Sequence, residues 1–180
     1  MKKKIIIGLL IAIVAFVLYG VLVVSKRSPI QTTTFNYAGL DIKVVYCQPY
    51  KKGRLIFGEE NDGALQPYGK YWRLGANAAT EITFSKNVNF GGKPVNAGSY
   101  RMYAIPGATT WQVALNSELG VYFAIAQPDY KLDVIRVEVP VGTAPAETEQ
   151  LNINFSNDST TVNMDIVWDR TIVRVPITAQ

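Results

Sequence analysis

The stretch Thr161-Val162-Asn163-Met164-Asp165-Ile166-Val167-Trp168 decides the fold. Val162, Met164, Ile166 and Trp168 alternate with Thr161, Asn163 and Asp165, so one set of side chains faces a core and the other faces water. A helix would need apolar spacing of three and four residues, and this segment has spacing of two. Working outward, the same period recurs in Leu151-Ile153-Phe155, Trp111-Val113-Leu115, Ile82-Phe84 and Ile42-Val44-Tyr46. Turn chemistry separates the runs: Gly91-Gly92, Ala97-Gly98, Pro106-Gly107, Asn157-Asp158-Ser159 and Asp169-Arg170, the last two read as tight hairpins. Eight to ten short strands with frequent turns predict an all-β antiparallel sandwich, with a barrel as the alternative.

The amino terminus departs from this pattern. Ile5 to Val24 are 20 consecutive uncharged residues, which as a helix would measure about 30 Å, the thickness of a bilayer's hydrocarbon core. Lys2, Lys3 and Lys4 precede the run and favour an inside amino terminus; Lys26 and Arg27 follow it and weaken that bias. The run is long for a cleaved signal peptide and lacks a small-x-small site, so an uncleaved anchor is expected. Cys47 lies too far downstream for a lipoprotein. The expected organisation is a cytoplasmic tip and transmembrane anchor over 1–27, a polar stalk over 28–34 and one β-domain over 35–180. That organisation predicts an inner-membrane protein whose domain faces the periplasm, with the bilayer as one partner.

Charge follows the same division. Of 18 basic residues, five flank the apolar run, and no acidic residue precedes Asp41, which leaves 13 basic against 14 acidic side chains from Ser28 onward. A near-neutral globule lacks the basic footprint that nucleic acid requires. The chain has one cysteine and no histidine, so Ser-His-Asp and Cys-His machinery and His-based zinc sites are excluded. Cys47 sits in an apolar strand pattern and reads as a buried small hydrophobe. Gly53 to Gly58 has the glycine spacing of a phosphate loop without its Lys-Ser/Thr. Glu59-Glu60-Asn61-Asp62-Gly63 fails the calcium-loop pattern at Gly58 and Gly69 and reads as a solvated acidic turn. No cofactor or metal is expected.

One stretch, Gly53 to Ala79, does not read as strand, yet its aromatic content argues against disorder. Within it, Pro67 to Asn77 gathers two tyrosines, a tryptophan, two cations and an amide, with Arg54 before it and Glu81 after it. Aromatic planes beside hydrogen-bonding groups hold flat-faced ligands such as sugars, and Arg or Lys fixes a carboxylate or phosphate. The candidate ligand-binding residues are therefore Arg54, Tyr68, Lys70, Trp72, Arg73, Asn77 and Glu81. The competing expectation is structural: Tyr71 and Trp72 plug the open end of the sandwich, Arg73 pairs with Glu81, and Gly69, Gly75 and Asn77 support turns. A carboxylate pair built on Glu81 with Glu59, Glu60 or Asp62 would permit glycan hydrolysis.

Several motifs together resemble a bacterial family. They are Tyr46-x-x-Pro49, Lys52-Gly53-Arg54-x-Ile56-Phe57-Gly58, Pro67-Tyr68-Gly69-Lys70-x-Trp72-Arg73-x-Gly75-Ala76-Asn77, Ala97-Gly98-x-Tyr100, Ile105-Pro106-Gly107 and Asp133-Val134-x-Arg136-Val137. The family is domain of unknown function 2911, and the resemblance spans nearly all of the chain after the stalk. It implies an envelope-associated protein and brings no assigned activity. The family pattern often carries glutamate where this chain has Ala78, which weighs against catalysis here. The expectation is thus a non-enzymatic binding or accessory domain for a small polar or glycan-like ligand or an envelope protein, with a carboxylate-dependent glycan hydrolase and a purely structural envelope protein as alternatives.

Overall fold

The computed structural model describes residues 2–122 and 124–180, with side chains over 7–20, 28–122 and 124–180. In chain order the elements are α1 (Lys2–Arg27), β1 (Ile30–Tyr37), β2 (Leu40–Cys47), β3 (Phe57–Gly58), β4 (Gln66–Pro67), β5 (Thr80–Phe84), β6 (Val88–Phe90), β7 (Lys93–Val95), β8 (Gly98–Ile105), β9 (Thr110–Asn116), β10 (Asp133–Asp158) and β11 (Thr161–Ala179). Single 3-10 turns lie at Glu60–Asp62 and Tyr130–Leu132.

Nine strands form one antiparallel sheet in the order β1-β2-β5-β8-β9-β10-β11-β6-β7. Strand β10 joins its two halves: Asp133 to Pro140 pair with β9, and Val141 to Asp158 pair with β11. The sheet thereby doubles over one core in a sandwich-like arrangement. Strands β1 and β7 remain its two edges, so the barrel alternative is not formed. The alternating residues read from the sequence are those buried: Ile42, Val44, Ile82, Phe84, Trp111, Val113, Leu115, Ile153, Met164, Ile166 and Trp168. Cys47 is buried and free among them.

Two sequence expectations are corrected. The segment taken as a polar stalk is largely strand: β1 begins at Ile30 and pairs from Ile30↔Cys47 to Tyr37↔Leu40. Its threonines are β-formers, and as an edge strand it needs little apolar alternation. Only Ser28 and Pro29 separate α1 from the sheet. Asp169-Arg170 is not a hairpin but a bulge inside β11. Asp169 has φ +56°, and the register against β10 shifts on either side of the Thr148↔Asp169 pair. The kink is held by the Lys51 ammonium, 2.7 Å from both Asp169 and Glu147.

Helix α1 forms over the apolar run, and the large side chains from Ile7 to Tyr19 are exposed. Among the described residues, no helix is long and apolar enough to cross a membrane. The side chains at both ends of the Ile5–Val24 run, 5–6 and 21–24, lie outside the described residues.

Candidate functional site

The Gly53–Ala79 stretch closes one end of the folded sheet. Strands β3 and β4 within it form a short parallel pair, and Trp72 bridges to β8 through two backbone hydrogen bonds with Ala104, at 2.8 and 2.9 Å. This pairing drives the Trp72 indole inward. It is 2% exposed, lies edge-on to Phe57 and Trp111 and stacks on Trp168 with centroids 5.9 Å apart. The indole N–H donates to the Gly75 carbonyl at 3.3 Å. Trp72 therefore acts as core, and the plug is its structural role.

Past Trp72 the backbone turns sharply. Leu74 and Asn77 adopt left-handed φ of +55° and +56°, a conformation that costs a non-glycine residue about 1 kcal/mol. Gly75 sits between them because a Cβ there would lie 2.8 Å from the Cys47 carbonyl oxygen. The Thr80 hydroxyl donates to the Leu74 carbonyl at 2.8 Å, and the Ala76 N–H to that of Cys47 at 3.3 Å. A second turn faces this one. Lys52 and Gly53 have φ of +52° and +68°, and the Lys52 N–H donates to Glu149 at 2.8 Å. Strained, well-fastened turns of this kind cluster at ligand sites.

Between the two turns lies a cavity of about 590 Å³ lined by Lys52, Arg54, Arg73 and Asn77, with Ser28 and Gln66 at its wall. The volume is that of a small-molecule site. No aspartate or glutamate lines it, while three cations do. Arg54 spends Nε and one Nη on the carbonyls of Lys51 and Tyr50, at 2.9 and 2.5 Å. That leaves its other Nη available. Among the described residues no hydrogen bond or ion pair engages the side chains of Lys52 and Arg73. The nearby acids are already committed: Glu147 and Asp169 hold Lys51 and raise its pKa, chiefly through the Asp169 hydrogen bond and then that of Glu147. A pocket lined by guanidinium and ammonium donors and by no acid has the hydrogen-bonding chemistry that carboxylates and phosphates accept.

Of the seven candidates, Arg54, Arg73 and Asn77 come together here. Tyr68 packs half-buried against the core. Lys70 points to solvent and pairs with Glu60 at 3.1 Å. Glu81 does not pair with Arg73; it lies on β5 and accepts the Gly120 N–H at 2.7 Å. A smaller pocket of about 210 Å³ holds Glu81 beside Val45, Ala78 and Tyr122, with no second acid in its lining. Sequence reasoning missed Lys52 and Gln66. Lys52 was legible, since it sits two residues before Arg54 in Lys52-Gly53-Arg54; Gln66 carried no signal.

A second polar group occupies the outer face of the sheet. The register places Glu81, Arg101, Asn116 and Asp133 in one row across β5, β8, β9 and β10. Arg101, 1% exposed, forms an ion pair with Glu118 and donates to the Tyr71 hydroxyl at 2.6 Å. Asp133 accepts from Tyr103 and Arg136 at 2.7 Å and from Asn116 at 2.8 Å. Burial pushes the Tyr103 phenol well above the usual tyrosine range, and Asp133 pushes it the same way. Burial raises Tyr130 too, against the opposing charge of Arg136. For Arg136, burial opposes the charge, but the hydrogen bond to Asp133 together with the charge of Asp133 and the neighbouring Tyr103 and Tyr130 outweighs it, and its pKa rises. Apart from the buried Arg101 Nε, which has no hydrogen-bond partner among the described residues, these groups engage one another and tie Glu118, Ala126 and Asp129 to the sheet, a structural use of charge.

A family profile described as a protein of unknown function, DUF2911, matches residues 28–177. No curated protein and no solved structure matches the chain.

Proposed function

We propose that this chain, which belongs to the DUF2911 family, is a membrane-anchored extracytoplasmic binding domain that holds a small anionic, hydroxyl-bearing ligand. The observation that carries this reading is the cavity lined by Lys52, Arg54 and Arg73 with no acid in its wall. Guanidinium groups take carboxylate or phosphate through paired N–H donors, and Asn77, Gln66 and Ser28 offer hydrogen bonds to hydroxyls. The anchor is supported by the uncharged Ile5–Val24 run and by the exposed apolar side chains around α1, which require a lipid or protein cover.

Glycan hydrolysis finds less support, because the pocket that holds Glu81 lines no second carboxylate. Thermal unfolding of the full chain in detergent micelles tests the binding reading against inorganic phosphate, sugar phosphates, sugar acids and neutral sugars. At roughly 100 times its dissociation constant, a ligand stabilises by about 2.7 kcal/mol. Shifts confined to the anionic compounds are expected. A flat response across the panel would return the domain to the structural reading.

A further inference from the structure

Building on that reading, we infer that the anion is a phosphate diester in the headgroup layer of the bilayer in which α1 is anchored. The cavity stands at the junction of helix and sheet. Ser28, the first residue after α1, lines it. Pro29, the next residue, accepts the Gln48 N–H through its carbonyl at 2.8 Å, and Gln48 leads directly into the cavity residues Pro49 and Tyr50. A two-residue link reaches at most about 7 Å, so a domain joined this closely to a spanning helix keeps this end among lipid headgroups.

The chemistry of the wall fits that setting. A phosphate diester carries one negative charge and two free oxygens, which match a guanidinium fork, and Arg73 presents one without a competing partner. About 590 Å³ is more than a bare phosphate fills, leaving room for a polyol headgroup against Gln66 and Asn77. A choline headgroup would set its own cation beside Lys52, Arg54 and Arg73 and be repelled. Anionic glycerol-type headgroups are therefore preferred over zwitterionic ones.

The test uses the full chain in nanodiscs of phosphatidylcholine alone or with a minority of phosphatidylglycerol, and in phosphatidylcholine discs given free glycerol phosphate. The readout is the thermal unfolding midpoint of the β-domain. Comparison with K52Q/R73Q removes two cavity cations whose side chains make no hydrogen bond or ion pair among the described residues, so folding is expected to be retained; R73Q alone is the milder control. Phosphatidylglycerol is expected to raise the wild-type midpoint by several degrees and to leave the double variant unmoved. An equal rise in the double variant would assign the effect to charges flanking the helix and overturn the inference. A response to glycerol phosphate but not to the lipid would also overturn it while leaving the anion-binding reading intact. No response to either would remove both.

Discussion

Replacing Trp72 with alanine tests whether that indole belongs to the core or to the ligand. The side chain is 2% exposed and touches Phe57, Trp111 and Trp168. Large-to-small changes at a buried tryptophan cost about 3–5 kcal/mol. Its two edge-on partners and its stacked one place Trp72 in the upper half of that range, near 4 kcal/mol, since aromatic pairs each add about 0.5–1.5 kcal/mol beyond buried area. For a domain of this size, each kcal/mol moves the melting midpoint by roughly 2–4 °C, so a fall of roughly 8–16 °C is expected. Trp72→Phe keeps most of the ring contacts, loses the hydrogen bond to Gly75 and should cost about 1–2 kcal/mol. The assay is thermal unfolding of the full chain in micelles, followed by far-ultraviolet circular dichroism. Trp72→Phe should also leave any anion-induced stabilisation unchanged, because the indole does not line the cavity. A midpoint fall in Trp72→Ala smaller than about 3 °C, or an anion response lost in Trp72→Phe, would refute the core assignment.

Other perturbations address the backbone and the outer face. Gly75→Ala brings a Cβ to 2.8 Å from the Cys47 carbonyl and 3.3 Å from the Thr80 hydroxyl, and should cost about 1–3 kcal/mol in a melt; a neutral result would show that the turn relaxes freely. Glu118→Ala leaves the Arg101 guanidinium, 1% exposed, without its carboxylate. Because Glu118 is itself partly solvated, the expected loss is about 1–3 kcal/mol, with faster hydrogen exchange over 117–132 and partial rescue by Glu118→Gln. Tyr103 makes stability pH-dependent. Its folded pKa is raised, so the folded state holds the proton more tightly, and this contribution is fully present below the ordinary tyrosine value of about 10 and lost as pH rises above it. Melts across that range should show Tyr103→Phe less stable than wild type at neutral pH, with the gap narrowing in alkali; a gap that widens would contradict the assignment.

The strands were legible because alternation is a local property. Val162 to Trp168 states which side faces the core without reference to any partner, and the same holds for Ile42 to Tyr46 and for Trp111 to Leu115. What escaped local reading depends on contacts distant in sequence. Asp169-Arg170 has turn-like composition, yet it remains in β11 because Lys51, more than a hundred residues earlier, neutralises Asp169 inside the bulge. The Ser28–Thr34 segment reads as a stalk because an edge strand can be polar on both faces, and only its pairing with β2 reveals it. Trp72 and Arg73 stand side by side in the sequence, but their fates diverge at one backbone bridge to Ala104, which turns the indole into the core and leaves the guanidinium at the cavity. The row from Glu81 to Asp133 could not be seen in advance, since four residues on four strands share a face only through register.

The central claim is that Lys52, Arg54 and Arg73 form an anion site, and calorimetric titration of glycerol phosphate into the full chain in micelles tests it most directly. Arg73→Gln is predicted to weaken binding at least tenfold relative to wild type, about 1.4 kcal/mol, while leaving the melting midpoint without ligand nearly unchanged, because among the described residues the Arg73 side chain makes no hydrogen bond or ion pair. Equal affinity in the two proteins, or no binding to either, would contradict the account.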